Sequence, residues 1–229
     1  MITEWSPCMV GGVSSQVALL SRWLRDRGHD VEVLYKEGPC EDDSIKLRAM
    51  LPFDYHVVPP LFWEVEERIR ELRPDVVHVH HSFTPLSVVA VRASVKLGVP
   101  CVLTNHSLPP IGDPKRWWGV SYLVPYRWLL NPSVATAVSG PAAEFLEGFL
   151  GIKGVRVIPN MVDTERFRPG PAERGNFILY LGRLVFRKGL HILLEAFKSL
   201  KREGMDLHLV VAGRGYMEPF LRLMSKDTG

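Results

Sequence analysis

Cysteine is scarce in this sequence and the net charge is small, and each shortage argues against a class of protein. The three cysteines, Cys8, Cys40 and Cys101, are widely separated, and their spacing indicates neither a disulfide framework nor a zinc site. A formal net charge of +3 is too small for a nucleic-acid-binding protein, although it suits an anionic substrate or membrane surface. We therefore expect no nucleic-acid partner, no bound metal and a reducing cytoplasmic location.

Long apolar runs are also missing. The most apolar stretch, residues 88–103, is interrupted by Arg92 and Lys96, and it falls short of the roughly 18 uninterrupted apolar residues of a membrane-spanning helix. No apolar run precedes Gly11 either, so a secretory signal peptide is not expected. With 46% hydrophobic residues, an ordinary share, the sequence predicts a soluble globular protein.

Short β-branched runs alternate with amphipathic helical patterns along most of the chain. Val13, Val17, Leu20 and Leu24, for example, recur at steps of four, three and four and so share one helix face. This alternation is typical of an α/β fold, in which helices wrap a parallel sheet. The strands predicted for a first domain are residues 2–5, 31–35, 55–58, 76–80, 101–105, 135–138 and 155–158.

The pattern restarts after a connector rich in proline and arginine, residues 159–174. Two strands (177–181 and 207–212) and two helices (188–203 and 217–224) follow. These four elements alone bury too little apolar surface to offset the conformational entropy lost when they become ordered. The sequence predicts one doubly wound domain over residues 1–165 and a βαβα fragment of a second over residues 166–229. Both late strands are apolar apart from His208, so an uncovered apolar face and self-association through it are expected.

Five of the seven predicted strand ends of the first domain carry glycine, histidine or small polar residues. Ligands of open parallel sheets bind beyond the carboxyl ends of the strands. Turn formation alone would explain the glycine, asparagine, serine and proline residues. Their coincidence on one edge favours a binding site. The groups are Gly11-Gly12, His80-His81-Ser82, Asn105-His106-Ser107, Ser139-Gly140 and Pro159-Asn160.

The first of these groups, Gly11-Gly12, opens a helix, so its bare amides could approach a phosphate or a sugar. A tight turn is the alternative, and the spacing lacks the later glycines of a dinucleotide fingerprint, so no NAD or other cofactor is expected. His106 ends an apolar strand, where it could face the crevice or be structural. His78 and His80 share one strand face, where core packing or hydrogen bonding is favoured over a metal that would need a third ligand.

The segment from Gly182 to Gly189 contains three cations between an apolar strand and a helix. Arg183 and Lys188 could hold a diphosphate between a bidentate guanidinium and a point charge, with the helix dipole adding to the attraction. A solvated basic loop is the alternative.

Aromatic and basic residues are interleaved in one stretch of the first domain. Such a stretch suits a membrane interface or a lipid-linked acceptor, whereas the favoured alternative is a helix packed against the core. Its members are Lys115, Arg116, Trp117, Trp118, Tyr122, Tyr126, Arg127 and Trp128.

Four segments together resemble the family 4 glycosyltransferases. They are Gly11-Gly12-Val13 with the helix end at 27–31, the segment Pro74-Asp75-Val76-Val77-His78-Val79-His80, the run from Pro159 to Phe167, and Gly182-Arg183 through Lys188-Gly189. Their order and spacing are specific, and the resemblance covers essentially the whole chain. It implies the GT-B architecture, in which two Rossmann-like domains face each other across a cleft.

The resemblance also implies a retaining transfer of sugar from a nucleotide-sugar donor to a glycan or lipid-linked acceptor, generally without a metal. Arg183 and Lys188 match the basic pair that stabilises the departing diphosphate, and His106 matches a histidine near the transferred sugar. Gly12 matches a loop that approaches donor phosphate and acceptor. Gly213 and Gly215 match a turn beside the nucleotide, in which Arg214 and Tyr216 replace the usual acidic residue and proline. On the acceptor side we expect Gly11, His80, Asn105 and Asn160.

One expected feature has no counterpart in these 229 residues, namely the paired glutamates that lie later in the family's second domain. The first hypothesis is a glycosyltransferase represented by an incomplete chain, which would not transfer sugar by itself. The second is a non-catalytic sugar- or acceptor-binding module completed by a partner. A sugar-nucleotide epimerase on the same fold would need acid and base carboxylates, which the predicted strand ends lack.

Overall fold

The computed structural model describes residues 1–51, 58–106, 108, 125–170 and 175–225. The chain divides into two compact units, Met1–Asp163 (unit 1) and Thr164–Gly229 (unit 2). Within the described residues, no helix combines the length and the apolar character needed to span a bilayer.

Unit 1 is built on a seven-stranded parallel sheet in the order β3-β2-β1-β4-β5-β6-β7. The chain begins at the centre of the sheet, adds two strands on one side and then returns to the other side of β1. The switch point therefore lies between β1 and β4, where doubly wound sheets bind ligands. The strands are β1 (Ile2–Trp5), β2 (Leu34–Glu37), β3 (Ile45–Lys46), β4 (Val77–His80), β5 (Cys101–Asn105), β6 (Val134–Ala137) and β7 (Arg156–Val157).

Helices connect these strands, and the apolar faces of α2 and α3 contribute to the core of unit 1. Leu86 and Val91 of α3 are fully buried together with Leu103 of β5. Pro85 occupies the first turn of α3, and Gly98, with φ of 70°, ends it in the left-handed conformation that glycine tolerates. The helices are α1 (Gly12–Arg25), α2 (Phe62–Leu72), α3 (Pro85–Leu97), α4 (Tyr126–Leu129) and α5 (Gly140–Glu144), which continues as a π-helical turn (Phe145–Phe149).

The predicted doubly wound α/β fold is confirmed, but two strand predictions need correction. The strand expected at residues 31–35 begins only at Leu34. Of the strand expected at residues 55–58, only Val58 belongs to the described residues, where it is not in a strand. The outer position next to β2 is taken by Ile45–Lys46, which is too short to show an alternating pattern.

The cysteines need a further correction, because Cys8 and Cys40 form a disulfide with a Cα–Cα distance of 5.3 Å. Their 32-residue separation hid the pairing. The strands β1 and β2 pair in parallel with Trp5 opposite Glu37, so the loops after their carboxyl ends lie side by side.

Unit 2 contains two parallel strands, β8 (Phe177–Leu181) and β9 (His208–Ala212), a 3₁₀ turn (Phe186–Lys188), and the helices α6 (Leu190–Arg202) and α7 (Glu218–Ser225). Leu184, Leu190 and Leu194 form a small core with residues of α7. The exposed apolar side chains of the two strands include Leu181, at 79% exposure. The others are Phe177, Leu179, Val210 and Val211.

Candidate active site

The carboxyl edge of the unit 1 sheet carries the predicted strand-end groups. β1 leads into residues 6–12, named the glycine loop here, and β5 ends directly before His106. Because all the strand pairs are parallel, these ends share one edge. Ser107, the last residue of the β5 group, lies outside the described residues.

His80 and His106 form a hydrogen-bonded imidazole pair, with 3.0 Å between Nδ1 of His80 and Nε2 of His106. Burial lowers the pKa of His106 to about 4, although a hydrogen bond that the ring donates to the side chain of Asn160 opposes the change. Burial also lowers the pKa of His80 well below its ordinary value. Both rings are therefore neutral at pH 7, and each can donate at one nitrogen and accept at the other.

Asn160 is exposed and His106 is partly buried, whereas His80 and Asn105 are buried. His80 is 2% exposed and Asn105 is fully buried. The Asn105 carboxamide accepts a hydrogen bond from Ser82 Oγ at 3.0 Å and donates to the Ala142 carbonyl at 3.1 Å. Burial argues against the direct acceptor contact predicted for His80 and Asn105. The hydrogen bond of His80 instead holds the His106 ring in place. The hydrogen bonds of Asn105 connect the end of β5 to Ser82 and Ala142.

His78, the third histidine of this group, is bonded through Nε2 to Thr104 Oγ1 at 2.7 Å, as the hydrogen-bonding interpretation predicted. Among the described residues, the group of side chains close enough to hold a metal ion is Cys8, Cys40 and Asp42, without any histidine.

A buried ion pair next to the glycine loop escaped the sequence analysis. Lys36 Nζ lies 2.7 Å from Glu4 Oε1, and both side chains are fully buried. Burial raises the pKa of Glu4 to about 7, while hydrogen bonds to Lys36 and Thr84 lower it. The available signal was that Glu4 and Lys36 lie within consecutive strands, where a buried charge needs a partner.

The double glycine is not required by packing within the part of the chain that the structure describes. A Cβ atom at Gly12 would meet nothing there within 4 Å, and one at Gly11 would meet only Ser14 Oγ at 3.9 Å. Gly11 is extended, with φ of −178°. The start of α1 is exposed at Gly12, which is the environment that an anion-binding helix start needs.

The glycines of unit 2 have the opposite character. A Cβ atom at Gly213 would lie 1.9 Å from the Gly182 carbonyl oxygen, and one at Gly215 would lie 2.2 Å from that of Leu184. Both glycines let the loop after β9 lie on the loop after β8, where Leu184 N–H donates to the Arg214 carbonyl at 2.8 Å. The lack of a side chain at Gly213 and Gly215 is therefore needed for these two loops to pack against each other.

Residues 182–189, named the basic loop here, present their cations to solvent. Arg183, Arg187 and Lys188 are exposed. Ion pairs among the described residues of unit 2 join Lys198 to Glu195 and Arg222 to Glu218, and they include none of the three. Arg214 is exposed on the adjoining loop. The carboxyl edge of β8 and β9 therefore concentrates positive charge that is available to an anion.

Aromatic residues surround the same loop. The Phe186 ring stacks on His191 with centroids 4.5 Å apart, and Tyr216 Oη accepts a hydrogen bond from the Phe186 N–H at 3.1 Å. Of the aromatic stretch in unit 1, only Tyr126, Arg127 and Trp128 are described. Tyr126 is buried and Trp128 is 72% exposed, so the core interpretation fits the first and an exposed interface the second.

Comparison with known proteins finds a glycosyltransferase family model that matches each unit. Residues 10–166 match the family model described as Glycosyltransferase Family 4. Residues 161–229 match that of Glycosyl transferases group 1.

Two curated relatives cover nearly the whole chain. Phosphatidyl-myo-inositol mannosyltransferase of Mycolicibacterium smegmatis is 31% identical over 233 residues, or 94% of this chain and 58% of that protein. A phosphatidylinositol N-acetylglucosaminyltransferase subunit of Homo sapiens is 26% identical, with 94% of this chain and 47% of that protein covered. The chain thus spans about half the length of these relatives.

The fold has a solved counterpart in Anabaena Alr3699/HepE, crystallised in complex with UDP. The TM-score is 0.70 at 18% sequence identity, and the match covers 100% of this chain and 65% of that chain. The architecture is that of the GT-B glycosyltransferases. On the match of residues 10–166, the chain belongs to glycosyltransferase family 4.

Proposed function

We propose that this chain carries the acceptor-side domain and part of the donor-side domain of a retaining glycosyltransferase. The enzyme would move a sugar from a nucleotide-sugar donor to a glycan or lipid-type acceptor without a metal. The observation that carries the proposal is a pair of exposed cations at the carboxyl edge of β8 and β9, Arg183 and Lys188, which have no carboxylate partner among the described residues.

These cations suit a leaving nucleoside diphosphate. As the bond to the sugar breaks, negative charge accumulates on the diphosphate, and preorganised cations lower the barrier most at that point. Arg183 can hold two phosphate oxygens at once, and Lys188 can neutralise a third. The start of α6 directly after Gly189 adds a favourable dipole. The UDP bound to the Anabaena protein supports a ligand of this class.

His106 would hold the transferred sugar through a neutral imidazole. Its pKa of about 4 keeps it uncharged at pH 7, so the ring would pack against the sugar without drawing the anionic diphosphate away from the cations. His80 behind it and Asn160 beside it fix the direction of the ring. We assign positioning of the sugar to His106, and contact with the acceptor to the open backbone at Gly11 and Gly12 and to exposed Asn160.

A lipid-type acceptor is favoured by the names of the two relatives, both of which refer to phosphatidylinositol. An acceptor of that type lies in a membrane, so the protein would work as a peripheral membrane protein. Exposed Trp128 next to Arg127 is compatible with such contact.

Product analysis tests this proposal. Because the paired glutamates of the family have no counterpart in the chain, turnover is measured in a chimera. The chimera continues after Ser225 with the remaining part of the second domain of the mycobacterial relative. We expect nucleotide release with phosphatidylinositol vesicles and an unchanged anomeric configuration by NMR, both insensitive to EDTA. Inversion or loss of activity with EDTA would contradict the mechanism. Nucleotide binding without any turnover would instead favour the non-catalytic module.

A further inference from the structure

The glycine loop lies on the loop that follows β2. Ser6 N–H donates to the Glu37 carbonyl at 2.8 Å, and Ser6 Oγ donates to the Pro39 carbonyl at 2.7 Å. Met9 packs against Gly38, where a Cβ atom would come within 2.3 Å of the Met9 sulfur. Gly38 also has φ of 96°, a conformation that favours glycine. Backbone, side-chain and packing contacts therefore join the same two loops.

The disulfide between Cys8 and Cys40 joins these loops covalently. Cys8 is exposed, so a thiol reagent can reach the bond. At its other end, the glycine loop passes into α1, and Gln16 of that helix exchanges two hydrogen bonds with Met161. The loop is thus anchored on both sides of its glycines.

Between these anchors the described part of the protein supplies little else to order the loop. Val10 is 85% exposed, and no atom of the described residues would contact a Cβ atom at Gly12 within 4 Å. Glycine backbone has more conformational freedom than any other, so an unanchored double glycine loses more entropy when a ligand orders it. A fixed anchor four residues before Gly12 removes part of that cost before binding.

We infer that the Cys8–Cys40 disulfide is a positioning element that holds the glycine loop ready for its ligand. This inference rests on the proposed function in one respect, that the loop binds a phosphate or sugar group of donor or acceptor. Cleavage of the bond releases the first half of the loop, while α1 and the sheet stay in place. Binding at the loop then weakens, and the chemical step is unchanged once the ligand is bound.

Metal binding is the competing use of the same side chains. Asp42 Oδ1 lies 3.1 Å from Cys40 Sγ, and two thiolates and a carboxylate are suitable zinc ligands. The structure contains the sulfur–sulfur bond, so we argue for the cross-link. A bound metal is an outcome that the experiment must be able to detect.

The experiment compares the oxidised chain, the chain reduced by dithiothreitol, and the Cys8→Ser/Cys40→Ser variant. Reduction is a two-electron exchange in which each cysteine sulfur gains a proton and dithiothreitol closes to its cyclic disulfide. Hydrogen exchange is followed by mass spectrometry in a peptide spanning residues 7–14 and in one spanning β5. Thiol titration and elemental analysis identify the state of the sulfurs.

We expect exchange in residues 7–14 to become at least about tenfold faster in both the reduced chain and the variant, with β5 unchanged. The reduced wild type guards against a folding defect peculiar to the variant. Equal exchange in all three forms, or one zinc ion per chain with free thiols, would overturn the inference.

A second readout separates this inference from the proposed function. In the chimera described above, loss of the disulfide should raise the KM for the substrate that the glycine loop binds several-fold. The kcat should stay within about twofold of its original value. Faster exchange with an unchanged KM would show that the disulfide orders a loop without a role in binding, which refutes the inference. An inactive chimera would count against the proposed function, and the exchange result would stand.

Discussion

Gln16 and Met161 are joined by two hydrogen bonds that run in opposite directions. The Gln16 carboxamide donates through Nε2 to the Met161 carbonyl at 2.8 Å, and its Oε1 accepts from the Met161 N–H at 2.7 Å. A side chain in the first turns of α1 thereby satisfies both backbone groups of the residue that follows Asn160. Because Asn160 also bonds to His106, this link connects the glycine loop with the histidine pair.

Replacement of Gln16 should therefore destabilise unit 1. Gln16→Leu leaves a partly buried N–H and carbonyl of Met161 without partners, which should cost about 1–3 kcal/mol in urea unfolding. Gln16→Glu keeps the acceptor and removes only the donor, so this variant should be destabilised less than Gln16→Leu. Equal stability of Gln16→Leu and wild type would show that water replaces both bonds without cost.

The glycines of the two units should respond differently to alanine. Gly12→Ala should leave the free energy of unfolding within about 0.5 kcal/mol, because its Cβ atom meets no atom of the described residues within 4 Å. Gly213→Ala should destabilise unit 2 by several times that amount, because its Cβ atom would lie 1.9 Å from the Gly182 carbonyl oxygen. Thermal unfolding of both variants checks the prediction. A destabilised Gly12→Ala protein would mean that the double glycine is a packed turn rather than a ligand loop.

The buried Glu4 should make stability depend on pH. Its folded pKa of about 7 exceeds the reference value of 4.5, so the folded state holds the proton more tightly. The resulting stabilisation is complete below about pH 4.5 and is lost as the pH rises toward 7. The unfolding free energy of wild type relative to Glu4→Gln should therefore fall across that window, while contributions from the histidines cancel in the difference. A difference that rises with pH would contradict the raised pKa.

The apolar face of β8 and β9 should support self-association of this chain. Leu179 and Val210 are about half exposed on strands whose remaining face covers the core of unit 2. A cavity of about 420 Å³, lined by α6, α7 and β9, leaves further apolar surface accessible. Light scattering should detect association that decreases in Leu179→Lys, whereas Leu223→Lys on α7 serves as an exposed control. A wild-type monomer at high concentration would contradict this expectation.

The sequence was sufficient to predict which strand ends share an edge of the sheet. It was not sufficient to predict which residues of neighbouring strands lie opposite each other. The ends of β1, β4 and β5 could be assigned to one edge because parallel strands share their direction. The Glu4–Lys36 pair and the Cys8–Cys40 bond depend on which residue of β2 lies opposite which residue of β1, and no local pattern specifies that register. The inaccessibility of Asn105 also depended on packing, since a strand-end asparagine is equally common at open turns.

The central claim is that Arg183 binds the diphosphate of a nucleotide-sugar donor, and calorimetric titration of this chain with UDP, GDP and ADP tests it most directly. The account predicts weak binding of at least one nucleotide, because the basic loop offers charge without a complete pocket. Binding should be lost in Arg183→Ala and retained in Arg187→Ala, which removes an equally exposed cation from the same loop. In the chimera, Arg183→Ala should raise the barrier to transfer by about 2–4 kcal/mol. If nucleotide binding weakens equally in both variants, or is unchanged in both, the basic loop is only a solvated surface.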